Sequence, residues 1–400
     1  MNKSNSNNYS NSNWITKNPK KTGFIISIIV LMISLSLVDR LINYINPSET
    51  KNKQTITRAI ALREHHPNLN KEIYADDFYL SKTDNLAVHN FSFRTDESSY
   101  ILPNNNYDNP DITIVFIGGS TTECMYVTEN NRFPYLSGQL IEENTNKFIN
   151  SYNAGASGNN TVHSIDILLN KVIPMKPDII VFMHAINDYA TLAYDHTYWP
   201  IETPRSEIIT INDYFPRRPK ETLLWHFKGI FHVLYPNIYN RLHDLKEKIV
   251  QPPESIKHWD EWADARPKIK DRDFDFMQKE FRWALQLMIT ASKTHNILPI
   301  IMTQANRFAE TPEEFILKSL NPMLNGGINY ETFKNEYDTF NEITRELAKK
   351  NEIPLIDLAK LVPQEKKYMY DILHYNDEGS IFVANIISEY ISDYINSSDK

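Results

Sequence analysis

The chain has 400 residues, 41% of them hydrophobic, with 42 Lys and Arg against 50 Asp and Glu, a net charge of −8 and an isoelectric point near 5.9. That apolar content can bury a sizeable core, whereas a mildly acidic chain without a long Lys/Arg run is ill suited to nucleic acid, which is excluded as the main partner. Cys124 is the single cysteine, so an intramolecular disulfide is excluded as well.

Residues 1–22 are rich in Asn and Ser, with four lysines and no acid; they are expected to be a disordered cytoplasmic tail. Phe24 to Val38 is an uncharged run of mostly Ile, Leu and Val, preceded by Lys17, Lys20 and Lys21 and continued past Asp39-Arg40 by Leu41, Ile42, Tyr44 and Ile45. Fifteen helical residues reach about 22 Å, short of the roughly 30 Å hydrocarbon core, so a span must borrow its flanks. The expectation is an uncleaved transmembrane signal anchor over 23–45, with its N terminus cytoplasmic and the domain that follows periplasmic or extracellular. A cleaved signal and a buried helix are the alternatives, the former lacking a small-x-small cleavage site. Residues 46–110 are expected to be a connector with one short helix followed by Asn/Pro/Asp-rich turns, its His65-His66 pair lying on the surface.

One folded domain is expected over 111–397. Ile112 to Ile117 is a short β-branched apolar run, the mark of a strand buried on both faces. It stops at Gly118-Gly119 and delivers Ser120 at its carboxyl end, where open α/β sheets bind ligands. Further strands are expected over Phe148–Tyr152, Asp178–Met183, Ile297–Met302 and Ile353–Ile356. Helical spacing lies between them at Val162, Ile165, Leu168 and Leu169, then at Phe281, Leu285 and Met288, then from Phe333 to Leu347, with a last helix over about 378–395. This alternation predicts a three-layer α/β/α, flavodoxin-like sandwich on a five-stranded parallel sheet. Residues 194–274 are too long for a simple connection and hold Trp199, Trp225, Trp259 and Trp262. They are expected to form a helical insertion that packs on the main domain, walls the substrate or rests on a bilayer.

Each strand end carries polar groups suited to acyl transfer: Ser120, then Asn153 to Asn159, then His184-Ala185-Ile186-Asn187-Asp188, and finally Asp371-Ile372-Leu373-His374. Acyl transfer needs a nucleophile, a base, an acid that holds the base's tautomer, and donors for an oxyanion. Along the chain these groups lie 187 − 120 = 67 and 374 − 120 = 254 residues apart, but a parallel sheet gathers its carboxyl ends on one rim. Cys124 offers a thiol alternative to Ser120, with a small core filler as the plainer role. Alone, Asn187-Asp188 reads equally as a turn cap and His374 as a surface histidine.

Taken together these blocks resemble the SGNH, or GDSL, hydrolase family, named for Ser, Gly, Asn and His in separate blocks. Gly119-Ser120 matches the nucleophile block, with Gly119 where the best-known form has Asp. Gly158, followed by Thr161, matches the second; Asn187 matches the third, with Ala185 in place of a glycine; Asp371 and His374, followed by Gly379, match the last. The resemblance implies Ser120 as nucleophile, His374 as base, Asp371 as its orienting acid, and the Ser120 and Gly158 N–H groups with the Asn187 amide as the oxyanion hole. It implies no metal or organic cofactor. His184, Gln304 and Asn306 are further candidates for substrate contact. The expected activity is removal of O-acetyl or other short acyl groups from a cell-surface or exported polysaccharide. The alternatives are an acyltransferase served by a membrane acyl-donor partner and an inert module of a polysaccharide assembly complex.

Overall fold

The computed structural model describes residues 17–45, 58–60, 62–74, 83, 86, 90–200, 206, 208–210 and 266–398. The chain divides into two units, Met1–Thr57 and Arg58–Lys400.

In the first unit, helix α1 (Pro19–Ile45) exposes Phe24, Ile25, Ile26 and neighbouring apolar side chains. Among the described residues no helix is long and apolar enough to cross a membrane, so the transmembrane helix expected over 23–45 is not established.

The second unit is built on five parallel strands, β1 (Ile112–Gly118), β2 (Ile149–Asn153), β3 (Ile179–Met183), β4 (Leu298–Met302) and β5 (Leu355–Ile356). Their order is β2-β1-β3-β4-β5, the flavodoxin-like order of doubly wound sheets. Alternation along β1 sends Ile114 and Phe116 to one face and Val115 and Ile117 to the other, and all four are fully buried. The main helices are α2 (Ser120–Glu123), α3 (Phe133–Thr145), α4 (Thr161–Ile167), α5 (Ile186–Asp195), α6 (Phe274–Thr294), α7 (Tyr330–Asn351) and α8 (Asp377–Ser398). Ile165, Phe281, Leu285 and Phe340 from α4, α6 and α7 pack on the face of Val115. Phe133, Ile141, Val383 and Ile387 from α3 and α8 pack on the face of Phe116. Each large side chain buried this way contributes about 1.5–3 kcal/mol, and that apolar burial holds the three layers together.

Register places the strand ends. Gly118 of β1 pairs with Met183 of β3, and Phe116 pairs with Asn153 of β2. The chain therefore leaves β1 and β3 side by side, at the point where strand order reverses, and Ser120 and Asn187 follow within four residues of each exit.

The connector adds strand pairing, and one helix departs from expectation. The described residues of 46–110 contain no helix, and the other residues of that stretch, where the expected short helix could fall, lie outside those described; Asn70–Tyr74 pairs antiparallel with Asn90–Arg94, and Arg58–Ile60 with Ile208–Thr210. Leu169 is 45% exposed because α4 runs into a π-helical turn, Leu168–Val172, whose wider spacing buries Leu168 and Val172 and turns Leu169 outward. Most of the helical insertion expected over 194–274, including Trp225, Trp259 and Trp262, lies outside the described residues.

Candidate active site

β1 ends in Gly118, and one residue later α2 begins with Ser120. The carbonyl of Gly119 accepts the N–H groups of Thr122 and Glu123, both at 3.0 Å, which closes the turn. Gly119 has φ −88 and ψ −154, a conformation open to other residues, so space is what selects glycine: a Cβ there would lie 2.4 Å from Asn187 Nδ2. The Asp of the family's best-known form would displace Asn187 from where it stands.

Ser120 Oγ lies 2.7 Å from His374 Nε2, and His374 Nδ1 lies 2.7 Å from Asp371 Oδ2. The other carboxylate oxygen, Asp371 Oδ1, accepts the main-chain N–H groups of Leu373 at 2.9 Å and His374 at 2.7 Å. The aspartate thus builds the turn that carries its own histidine. The Tyr370 ring stacks on that of His374, with centroids 5.6 Å apart and planes 7° from parallel. Arg307, just past β4, donates from Nη1 to the Asp371 carbonyl at 3.3 Å and from its main chain to the Ile372 carbonyl at 2.9 Å. These bonds fasten the 371–374 turn to the sheet.

Burial disfavours a charge on Asp371, but the His374 charge, the bond from its ring and the two main-chain donors outweigh it and hold the carboxyl below its ordinary 3.8. Burial likewise lowers His374, and the Asp371 carboxylate overrides it to hold the imidazole above its ordinary 6.5. With Nδ1–H donating to the carboxylate, Nε2 is left as an acceptor facing the Ser120 hydroxyl.

Gly158 sits at φ +79, a left-handed conformation that favours glycine. Asn187 Nδ2 donates to the Asn159 carbonyl at 3.0 Å; an amide nitrogen carries two hydrogens, so one remains for a ligand. Ala185, which stands where the family motif has glycine, has φ −168, extended backbone that any residue adopts. Ser120, Gly158, Asn187 and His374 line one cleft of about 440 Å³ together with Arg63, Met125, Tyr126 and Tyr370. Among the described residues no group of three or more His, Cys, Asp or Glu is placed to hold a metal ion.

The three candidates for substrate contact do not line this cleft. His184 is buried, with Nδ1 3.7 Å from Asp188 Oδ2. Gln304 is spent on bracing the site: Oε1 accepts the Ile186 N–H and the Tyr337 hydroxyl, both at 2.9 Å, and Nε2 donates to Thr121 Oγ1 at 2.8 Å. Asn306 Oδ1 accepts the Phe308 N–H at 2.8 Å and Gln364 Nε2 at 3.2 Å, and its side chain lines a separate polar depression with Asp338 and Arg345. Strand ends place a residue near the rim, but these side chains turn inward to partners that spacing alone does not show. Cys124 is buried, its thiol pushed up to about 12 by burial, which leaves it protonated and inert.

Sequence reasoning passed over Arg63 and Glu123 and set His65 on the surface. His65 does not lie free on the surface; its Nε2 is 2.8 Å from Glu123 Oε1. A glutamate three residues past Ser120, in a turn with every neighbour buried, was the available signal.

Residues 116–380 match the GDSL-like lipase/acylhydrolase family. The chain belongs to that family. Solved structures similar to this acylhydrolase are found as well. An acetylxylan esterase from Geobacillus stearothermophilus matches at 13% identity and TM-score 0.40, covering 70% of this chain and 94% of that one. A lipase/acylhydrolase from Enterococcus faecalis matches at 15% and 0.39, covering 71% and 96%. The acetyl xylan esterase AlAXEase matches at 17% and 0.36, covering 70% and 98%. At these values none of the three bears on the substrate of this acylhydrolase. No curated protein matches its sequence.

Proposed function

We propose that this acylhydrolase is a serine esterase that removes O-acetyl or other short acyl groups from a cell-surface or exported polysaccharide. The observation that carries the reading is the continuous series Ser120–His374–Asp371, two links of 2.7 Å at the point where strand order reverses. Ser120 Oγ attacks the ester carbonyl carbon as its proton passes to His374 Nε2. The carbonyl electrons move onto oxygen, which receives the N–H groups of Ser120 and Gly158 and the free hydrogen of Asn187 Nδ2. Collapse breaks the bond from the acyl carbon to the sugar oxygen, and the imidazolium returns its proton to that oxygen. Water then repeats the sequence on the acyl-Ser120, releasing a carboxylic acid. Throughout, Asp371 holds the tautomer of His374 and offsets its transient charge.

The cleft, about 440 Å³, is at the smaller end of the range for ligand sites, which suits a short acyl group and the sugar that bears it. Lys17, Lys20 and Lys21 ahead of the uncharged run Phe24 to Val38 support a cytoplasmic N terminus and an N-terminal tether, with the esterase outside the membrane beside surface glycan. The test is acetate release from acetylated xylan, pectin and cell-wall glycans by the wild type and Ser120→Ala. Ser120-dependent release from at least one is expected; none, or equal release by both proteins, overturns the reading. Slow release with transfer of acetyl to an added glycan replaces it with the acyltransferase.

A further inference from the structure

Glu123, the last residue of α2, is fully buried, yet it is a carboxylate at the wall of the reaction cleft. One oxygen accepts the Ser157 hydroxyl and the other lies 2.8 Å from His65 Nε2. It therefore bonds the turn that carries Ser120 to the loop that carries Gly158, and it lies against the stretch 62–66 far upstream. The same stretch reaches the loop twice more. Arg63 Nη2 donates to the Ser157 carbonyl at 3.4 Å, and the Arg63 carbonyl accepts Asn159 Nδ2 at 2.9 Å.

The Ser157 carbonyl and the Gly158 N–H belong to one peptide unit. That unit is planar and trans, so its C=O and N–H point in opposite directions, and holding the oxygen aims the hydrogen. Gly158 has no side chain, and its left-handed conformation is easily changed, so the direction of its N–H has to be set by neighbours. A guanidinium on the carbonyl oxygen also polarises the peptide and strengthens the opposite N–H as a donor.

We infer that Arg63, His65 and Glu123 form a clamp that aims the Gly158 N–H at the oxyanion, and that residues 63–65 are a working part of the active site. The inference rests on the oxyanion role proposed for Gly158. All three are positioning residues: they act through the Ser157–Gly158 peptide.

The test is steady-state kinetics on a short-chain aryl ester with Arg63→Ala, Glu123→Gln and His66→Ala in the full chain, with Ser120→Ala as reference and thermal melts on each. The clamp predicts that Arg63→Ala and Glu123→Gln lower kcat by about 10- to 100-fold with KM within about twofold, less than the roughly 10²- to 10³-fold for loss of a donor itself. His66, exposed on the same segment, is predicted to tolerate alanine without change in kcat. Guanidinium ion is predicted to restore part of the Arg63→Ala rate. Wild-type kcat in both clamp variants overturns the inference, as does a rise in KM alone, which would make Arg63 a substrate contact. A loss of kcat only in proportion to lost folded protein overturns it too. Activity in Ser120→Ala would instead overturn the esterase reading, so the two failures are distinct.

Discussion

Two histidine–aspartate pairs are buried in this unit, one in the turn 371–374 and one just past β3, and they behave in opposite ways. At the mouth of the cleft, His374 and Asp371 meet at 2.7 Å with two main-chain N–H groups on the same carboxylate. There each charge supports the other: the aspartate is held below its ordinary value and the histidine above it, despite burial. Just past β3, His184 and Asp188 approach only to 3.7 Å. Burial lowers His184 to about 3 and raises Asp188 to about 6, although the carboxylate accepts Thr161 N–H at 2.9 Å and the Tyr198 hydroxyl at 2.6 Å. Identity of residues does not make a catalytic pair; a gap of one ångström and the loss of direct hydrogen bonding let desolvation win.

The sharpest break of that comparison is to remove each histidine. His374→Ala is expected to lower kcat/KM by on the order of 10⁴- to 10⁶-fold with little change in melting temperature. His184→Ala is expected to do the reverse, losing stability through the cavity it leaves while kcat stays within about tenfold. Equal losses of rate in the two variants would erase the distinction.

Next in size is Asp371→Asn, for which a fall of about 10⁴-fold is expected because the amide favours the wrong tautomer of His374. Its pH profile carries a second signature. His374 must be neutral to accept the Ser120 proton, so the acid limb of wild-type kcat/KM should fall above pH 6.5, and removing the carboxylate that raises it should move that limb lower. An unmoved limb would assign it to another group.

The buried pair is sharpened by stability against pH, measured as urea midpoints from pH 4 to 6.5. His184 stays neutral in the fold while the unfolded chain takes up a proton below 6.5, so it lowers stability as pH falls, by up to about 1.4 kcal/mol per unit. Asp188 stays protonated in the fold up to about 6 while the unfolded chain ionises above 3.8, so it lowers stability as pH rises through this window. His374, raised in the fold, adds stability below 6.5 that is lost as pH rises through its folded value. Asp371 adds stability above 3.8 that is lost as pH falls through its depressed folded value. His184→Gln should therefore tilt the curve toward greater stability at pH 4, and Asp188→Asn should tilt it the other way. Parallel curves would show that neither group titrates as described.

The smallest effect concerns Cys124. With its thiol pushed up to about 12, native protein should resist iodoacetamide at pH 8 and react once unfolded. Rapid native labelling would reopen the thiol alternative.

The sheet was legible because five short β-branched runs separated by helical spacing admit few arrangements, and the polar ends of those runs fell in the order of a known family. Ser120, Gly158, Asn187, Asp371 and His374 accordingly meet at one rim. What stayed hidden depends on partners rather than on period. Gln304 looked free at a strand end, yet Thr121, Ile186 and Tyr337 occupy its head group. Leu169 followed helical spacing until a π-turn shifted it outward. His65 looked like a surface residue because its partner Glu123 lies 58 positions downstream, 123 − 65, and nothing local announces so distant a pairing.

The central claim is that His374 activates Ser120, and covalent labelling tests it most directly. Folded wild-type protein treated with a fluorophosphonate, then examined by intact mass and peptide mapping, is predicted to carry one adduct, on Ser120, with labelling lost or greatly slowed in His374→Ala. Absence of an adduct on the folded wild type, an adduct elsewhere, or equal labelling without His374 would contradict the account.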